Sequence, residues 1–291
     1  MIQILTPSRW REYTLLDCGN GLRLEQVGPY RFIRPAAQAV WKPALPKQSW
    51  KSVDGIFEAS ASESGGRWRF YKQNIPSEWI VHYQDLRFKA FTASSRHIGF
   101  FPEQAPHWDW MTELLHRSPA TVQVLNLFGY TGLASLAASS AGAVVTHVDA
   151  SKKIIQIAKE NQTLCGLSEQ PIRWILDDAL KFLQREVRRG RKYDAIILDP
   201  PKFGRGPKGE VWEFFQLLPN LLDLCSQVLS QNPLFIVLTA YAIQASPLSL
   251  YYALQSFIES KGGTLSCGEL ALTEQSAGRL LPMAIFARWE A

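Results

Sequence analysis

The chain of 291 residues carries 31 lysines and arginines against 26 aspartates and glutamates, a net charge of +5, and 46% of its residues are hydrophobic. This is the composition of a globular protein, and it excludes a disordered, collagen-like or low-complexity chain. No apolar run reaches the ~18 residues of a membrane span, and the amino terminus lacks the features of a signal peptide. We therefore expect a cytoplasmic protein without a membrane partner, built from one large or two smaller domains.

Residues 1–117 form the first of two regions that the sequence distinguishes. Its 15 basic and 11 acidic residues give a net charge of +4, and seven of the ten tryptophans lie in it. Short strand-like runs separated by Gly, Pro and Ser predict an irregular β-rich domain that binds the substrate. The run Arg67–Lys72 alternates basic and aromatic residues. That pattern is typical of a surface that contacts phosphates and bases, but also of a half-buried strand.

Residues 118–291 form the second region, in which apolar runs alternate with helical segments. Strands that are apolar throughout, each followed by a helix, predict a parallel sheet covered on both faces. The expected strands are Val122–Phe128, Val144–Asp149, Ile172–Leu176, Tyr193–Leu198 and Leu234–Thr239, with helices near 131–141, 151–165, 179–189 and 211–230. Two closing strands have no helix between them and should pair antiparallel. The fold class is thus α/β: a doubly wound, Rossmann-like sheet of seven strands with an antiparallel last strand.

The first strand ends in Asn-Leu-Phe-Gly-Tyr-Thr-Gly, with glycines at 129 and 132. Glycines at a strand-to-helix turn let the backbone pass close to a ligand above the carboxyl ends of the strands, although any tight turn favours glycine. The G-x-G-x-x-G fingerprint is missing, which disfavours a pyrophosphate ligand.

Acidic residues end the second and third strands. Asp149 can accept hydrogen bonds from both ribose hydroxyls of a nucleoside, and Asp178 from an adenine amino group. Each aspartate precedes a helix, so each is also a candidate N-cap.

The fourth strand ends in Asp-Pro-Pro-Lys-Phe at positions 199–203. Two prolines after an aspartate predict a rigid, extended turn that lacks backbone donors and directs carbonyl acceptors into the cleft. This turn should lie beside the crevice that the first three motifs line.

Together these four motifs resemble a class I S-adenosylmethionine-dependent methyltransferase over residues 119–289. Within that class the chain is similar to the bacterial large-subunit ribosomal RNA methyltransferases that act on cytosine C5 or guanine N7. The segment 98–104 is similar to one that approaches the cofactor in that family. The resemblance implies S-adenosylmethionine as cofactor, with contacts from Phe101, Gln104, Asn126, Phe128, Gly129, Tyr130, Thr131, Gly132, Asp149, Ala150, Ser151, Asp178, Ala179 and Asp199. It also implies catalytic roles beside the methyl group and the substrate for Asp199, Pro200, Lys202 and Phe203.

Cysteines and histidines restrict the chemistry. The four cysteines are scattered without a C-x-x-C or Cys/His cluster, so no metal site is predicted. Cytosine-C5 enzymes of this family use a nucleophilic cysteine, and neither 200–202 nor 238–241 contains one. The five histidines are scattered, with no neighbouring acid that makes a convincing pair, and are expected to be structural.

We therefore expect methylation of a base nitrogen of RNA, with ribosomal RNA as the favoured partner, by direct displacement. Three alternatives stay open: a nicotinamide-dependent oxidoreductase, a catalytically silent RNA-binding module, and a methyltransferase of proteins or small molecules. The sequence does not indicate an oligomeric state.

Overall fold

The computed structural model describes residues 2–60, 65–92, 95–259 and 261–291. The chain divides into two compact units. Unit 1 comprises Met1–Leu5, Pro106–Leu270 and Ala284–Ala291, and unit 2 comprises Thr6–Ala105 and Ala271–Met283. In the described ranges no helix is both long and apolar enough to cross a membrane.

The elements are numbered in chain order. The strands are β1 Gln3–Leu5, β2 Tyr13–Gly19, β3 Leu22–Val27, β4 Tyr30–Pro35, β5 Gly55–Ala59, β6 Gly66–Phe70, β7 Glu78–Tyr83, β8 Leu86–Phe91, β9 Gln123–Leu127, β10 Val144–Asp149, β11 Ile172–Leu176, β12 Ala195–Leu198, β13 Phe203–Arg205, β14 Val211–Glu213, β15 Phe235–Ala240, β16 Thr264–Thr273 and β17 Leu280–Glu290. The helices are α1 Lys47–Lys51, α2 Ala105–Arg117, α3 Leu133–Ser140, α4 Lys152–Leu164, α5 Ala179–Arg188, α6 Phe214–Val228 and α7 Pro247–Ile258, and a short 3-10 helix covers Pro102–Gln104.

The large sheet has the predicted α/β architecture. Its strand order is β1-β16-β17-β15-β12-β9-β10-β11. Strands β15, β12, β9, β10 and β11 are parallel to their neighbours in this series, and β17 runs antiparallel to β15. Every residue of β12 and β15 is buried, which explains why these strands are apolar throughout. The Rossmann-like prediction is confirmed.

The sheet contains eight strands among the described residues, one more than the seven predicted. The additional strand is β1, which pairs in parallel with β16 so that Gln3 lies opposite Gly268. A Cβ atom at position 268 would overlap the backbone of Gln3, so glycine is required there. The pairing joins segments 265 positions apart (268 − 3), and local sequence patterns do not reveal it.

Helix α2 moves the boundary between the two units away from the predicted division at 117/118. The units separate at Ala105/Pro106. The chain also passes from one unit to the other after β1, within β16 and within β17. Within unit 1 the indole of Trp110 packs on Phe235, with ring centroids 5.5 Å apart, and its Nε1 donates to Glu290. The change of pattern at 118 therefore marks the end of a helix that packs on the sheet.

Unit 2 is β-rich, as predicted. Its described part contains a five-stranded sheet of order β2-β3-β4-β5-β6 and the hairpin β7–β8. The rings of Trp68 and Trp79 both pack on buried Phe32, with centroids 5.2 and 5.6 Å away. Arg67 and Arg69 are exposed on either side of half-buried Trp68, and both contact Glu58. The strand interpretation of this segment is thus confirmed, whereas its contact with RNA stays a prediction.

Two buried histidines make the stability of unit 1 sensitive to acid. Burial lowers the pKa of both His107 and His147 to about 3. Below pH 6.5 each histidine binds a proton in the unfolded chain but not in the folded one, so the free energy of unfolding falls as the pH falls. The slope is at most about 1.4 kcal/mol per pH unit for each histidine.

We expect His107→Phe to reduce this acid sensitivity. The His107 ring packs edge-on against Phe286, with centroids 4.9 Å apart, and neither ring nitrogen has a hydrogen-bond partner among the described residues. Phenylalanine keeps the packing and removes the titrating group. Urea unfolding between pH 7 and 5 measures the slope, and an equal slope in the wild type and the variant would contradict the assignment.

Candidate functional site

The four motifs predicted to form a site lie at one edge of the large sheet. Residues at the carboxyl ends of the strands are in register: Leu127 of β9 pairs with Val148 of β10 and with Leu198 of β12, and Asp149 pairs with Leu176 of β11. The loops after these four strands therefore begin side by side, which is where open α/β sheets bind ligands.

The loop between β9 and α3 has an unusual backbone. Phe128, Tyr130 and Gly132 have φ of 58°, 51° and 89°. Positive φ is uncommon for residues with large side chains, and such conformations persist where the surrounding structure enforces them, often at functional sites. Here the amide of Gly129 donates to Val148 O (3.1 Å) and the amide of Tyr130 to Asp149 Oδ2 (3.0 Å).

Packing beneath the loop accounts for both glycines. A Cβ atom on Gly129 would overlap the His147 ring, and one on Gly132 would lie 3.1 Å from Ala158 and from Trp174. The glycines thus make room for protein side chains below the loop. The half-buried residues 128–130 form its outer surface, whereas Thr131 is buried.

A buried polar network supports the loop from below. Asn126 is buried, and its Nδ2 donates to Ser135 Oγ (2.9 Å), which lies 2.9 Å from His147 Nδ1. Because burial lowers the pKa of His147, the ring is neutral at physiological pH. The amide nitrogen of Asn126 is already engaged with Ser135. The predicted contact of Asn126 with the cofactor stays a prediction.

Asp149 joins the loops after β9 and β10. Its Oδ2 accepts from the amide of Tyr130 and its Oδ1 from that of Ser151 (2.8 Å). The N-cap alternative for Asp149 is wrong, because Ser151 caps α4 by accepting from Ile154 N (3.4 Å). Burial raises the pKa of Asp149 despite these hydrogen bonds. The amide of Ala150 also donates to this carboxylate, which still retains acceptor capacity for a further donor.

A nucleoside would meet an apolar contact next to this carboxylate. Leu176, the register partner of Asp149, is 43% exposed although it ends a sheet strand. Sequence analysis did not single it out, because an exposed leucine and a buried one look the same in an apolar run.

Asp178 is the N-cap of α5, as one of its two interpretations stated. Its Oδ1 accepts from Lys181 N (3.0 Å), and the neighbouring Asp177 forms an ion pair with Arg185. Ala179 is buried, while Ala150 is half-buried. Phe101 and Gln104 belong to unit 2, at the start and the end of the segment that forms the 3-10 helix. Their cofactor contacts stay predictions, as does the adenine contact of Asp178.

The Pro-Pro turn, residues 199–201, starts from β12 beside the β9–α3 loop. The amide of Asp199 donates to Leu127 O (3.4 Å); Asp199 is half-buried and Pro200 buried. One of the carbonyls expected to face the cleft is occupied, since Pro201 O accepts from Trp212 Nε1 (2.6 Å). Lys202 and Phe203 are exposed immediately after the turn.

Trp212 connects this turn to the β9–α3 loop, and sequence analysis missed it. Its buried ring packs against Phe128, with centroids 5.0 Å apart. The helix predicted for 211–230 begins only at Phe214, because residues 203–205 and 211–213 form the antiparallel hairpin β13–β14. The apolar Val-Trp pair at 211–212 continues the helical pattern in sequence but belongs to a strand.

We expect Trp212→Phe to impair both folding stability and turnover. The change removes the donor to the Pro201 carbonyl, and because Pro201 is exposed we expect the net cost of one hydrogen bond, about 0.5 to 1.5 kcal/mol in the free energy of unfolding. A turn that is no longer fixed should also lower turnover by about tenfold or more. Trp289→Phe is the matched control, because Trp289 Nε1 donates to Gly262 O (2.7 Å) at the opposite edge of the sheet. Equal losses of turnover in both variants would contradict a role specific to Trp212.

The cysteines and histidines of the described residues provide no nucleophile or base at this edge. Cys18, Cys225 and Cys267 are buried, and burial raises the pKa of each thiol. Cys165 follows α4, away from the strand ends. One sequence expectation is wrong: His82 does have an acidic neighbour, since its Nδ1 lies 3.0 Å from Glu12 Oε2 in unit 2.

Known proteins resemble both the motifs and the whole fold. The family model described as Conserved hypothetical protein 95 matches residues 109–220, which contain all four motifs. The crystal structure of the SAM-dependent methyltransferase from Agrobacterium tumefaciens is 48% identical, with a TM-score of 0.95, over 99% of this chain and 93% of that one. SMU.776, crystallised with S-adenosylhomocysteine, has a TM-score of 0.73 at 19% identity over 97% of this chain and 76% of its own, and shares the fold.

Similarity to curated proteins is more partial. Ribosomal RNA large subunit methyltransferase I of Shewanella denitrificans is 40% identical over 43% of this chain and 30% of its own length. The chain spans about half the length, or less, of the curated relatives that it matches.

The antiparallel β17 beside β15 and a G-x-x-G loop in place of the G-x-G-x-x-G fingerprint fit a class I methyltransferase sheet and not a dinucleotide-binding one. The near full-length match at 48% identity specifies the family. The chain belongs to the S-adenosylmethionine-dependent methyltransferases.

Proposed function

We propose that this enzyme methylates a base nitrogen of RNA, with ribosomal RNA as the favoured substrate, by direct displacement. The observation that carries the proposal is the common origin of two loops: the Asp149 carboxylate and the Pro-Pro turn flank the β9–α3 loop at one sheet edge. The carboxylate suits the nucleoside part of a cofactor, and the turn suits an acceptor with N–H groups.

The residues at this edge fit S-adenosylmethionine. Asp149 would accept from the ribose hydroxyls through its remaining lone pairs, and exposed Leu176 would cover a face of the adenine. Asp178 and Ala179 would lie beside the adenine amine, and the outer surface of residues 128–130 beside the methionine part. When bound, the cofactor supplies an electrophilic methyl group on a sulfonium ion.

Asp199 would orient the acceptor. A half-buried carboxylate at the start of a proline-fixed turn can accept a hydrogen bond from a base N–H and hold the proton that the nitrogen releases. The aligned nitrogen needs no covalent activation. The absence of a thiol at this edge of the described chain supports displacement over cysteine-dependent C5 methylation.

RNA is proposed as the substrate on two grounds. The partial curated relative is named as a ribosomal RNA large subunit methyltransferase. Exposed arginines beside aromatic residues on β6 of unit 2 suit a polyanion with stacked bases. We assign unit 2 to substrate binding and unit 1 to methyl transfer. The enzyme would then act in ribosomal RNA processing.

Two measurements test the proposal. Calorimetry should detect binding of S-adenosylhomocysteine and none of NAD, and the reverse result would restore the nicotinamide-dependent alternative. Mass spectrometry of nucleosides from ribosomal and transfer RNA of cells with and without the gene should show loss of a base N-methylation. Loss of a 5-methylpyrimidine would contradict direct displacement. An unchanged RNA profile would favour a protein or small-molecule acceptor.

A further inference from the structure

The hairpin β13–β14 follows the Pro-Pro turn directly and has two different faces. In its antiparallel register Gly204 pairs with Trp212, and Arg205 with Val211. Trp212 is 3% exposed, whereas Phe203 and Val211 are 56% and 54% exposed. Because side chains alternate along a strand and directly paired residues share a face, the outer face of the hairpin consists of exposed Phe203, Arg205 and Val211 and half-buried Glu213. An aromatic, a cationic and an aliphatic side chain thus face solvent together.

The hairpin is held in place at both ends. At its base Trp212 bonds to the Pro201 carbonyl, and the amide of Phe214 donates to Lys202 O (3.1 Å). At its tip Glu210 forms an ion pair with Lys181 of α5. The outer face is therefore presented in a fixed position next to the turn proposed to orient the acceptor.

The net charge of the hairpin is positive, because Arg205 and Lys208 outnumber Glu213 once Glu210 is paired with Lys181. Glu210 is neutralised by Lys181 and also accepts from the amide of Lys208 (2.8 Å). Lys208 and Arg205 are exposed, and neither side chain forms an ion pair with any residue that the structure describes. Unpaired cations beside exposed aromatic surface suit a strand with phosphates on one side and flat bases on the other.

We propose that the outer face of this hairpin, together with Lys208 in the turn between its strands, binds the single-stranded RNA segment that flanks the acceptor nucleotide. Arg205 and Lys208 contact its phosphates, and Phe203 and Val211 contact its bases. The proposal rests on RNA being the substrate, and it deepens that function by naming the surface that holds the RNA next to the methyl-transfer site. Bases flanking the target would be held by contacts independent of the cofactor.

The test is the salt dependence of RNA binding by the full chain. Large-subunit ribosomal RNA transcribed in vitro serves as the probe, and its dissociation constant is measured over a series of salt concentrations. Each lost phosphate contact should reduce the log–log slope by about 0.7 and, at 0.1 M salt, weaken binding about fivefold. We expect this change for Arg205→Gln and again for Lys208→Gln.

Arg188→Gln is the matched control, because Arg188 is an exposed arginine on the last turn of α5, at the opposite edge of the sheet. It should leave the slope unchanged, and all variants should bind S-adenosylhomocysteine as the wild type does. If the wild type binds and methylates RNA but the hairpin variants retain its slope, this surface assignment is wrong and the RNA substrate stands. If the wild type neither binds nor methylates RNA, the proposed function is wrong and the hairpin assignment with it.

Discussion

Replacing Asp149 by alanine is expected to weaken binding of S-adenosylhomocysteine by about 1 to 3 kcal/mol, or about 5- to 150-fold in the dissociation constant. The change removes the charged acceptor that we propose for the ribose hydroxyls. It also removes the acceptor of the Tyr130 and Ser151 amides, so the strained β9–α3 loop loses its link to β10. Isothermal titration calorimetry measures the effect directly.

Asp194→Ala is a closely matched control for this experiment. Asp194 also accepts a backbone N–H from the neighbouring strand, from Gln123 (2.9 Å), but at the amino edge of the sheet. We expect it to change stability and not affinity. If both variants bind the cofactor product as the wild type does, Asp149 serves only to join the two loops and is not a ribose ligand.

The pH dependence of cofactor binding provides a second test of the proposed role of Asp149. Burial raises its pKa, so the carboxylate takes up a proton at a higher pH than the ordinary ~3.9 of an aspartate. Since the charged form is the stronger acceptor, affinity should begin to fall on acidification while ordinary carboxylates are still ionised. Asp149→Asn should lose this dependence.

The site edge could be predicted from sequence because local patterns determine it. Strands β10 and β11 were predicted with the bounds observed, since apolar runs between helices give both their extent and their direction. Parallel strands bring their carboxyl ends to one edge, so finding the strand ends was sufficient to group Asp149, Asp178 and Asp199.

Features that depend on distant pairing could not be predicted in this way. The three residues of β1 become a strand only through their partner β16, and α2 joins unit 1 only through contacts such as Trp110 on Phe235. The two N-cap candidates were likewise undecidable from sequence: Asp178 caps its helix, whereas the residue that caps α4 is Ser151. Side-chain geometry decides between equivalent sequence patterns.

Trp212 illustrates the same limit within the site itself. Its bond to Pro201 and its contact with Phe128 require the chain to reverse between residues 205 and 211. The glycines and proline at 204–209 permit that reversal, but the apolar residues after it match the following helix. The apolar residues 211–212 therefore led to a predicted helix start near 211, whereas α6 begins at Phe214.

Replacing Asp199 by alanine is expected to lower kcat by about 100- to 1000-fold and to change the dissociation constant of S-adenosylhomocysteine by less than about threefold. The physical reason is its position at the start of the Pro-Pro turn, which Pro200 and the Trp212 bond keep rigid. In the proposed function a carboxylate fixed there would align the acceptor nitrogen with the methyl group, and alignment affects the transition state more than the bound ground state.

Single-turnover methylation of RNA with saturating cofactor measures this effect apart from binding and product release. Asp199→Asn should recover part of the rate, because its amide oxygen still accepts a hydrogen bond although it cannot hold a proton. If proton acceptance by Asp199 is what the variant lacks, the recovered fraction should increase at higher pH, because solvent base then takes the proton that the carboxylate accepts in the wild type. An alanine variant that loses cofactor affinity and retains its single-turnover rate would assign Asp199 to the cofactor alone. The carbonyls of the turn, and the hairpin that follows it, would then orient the acceptor.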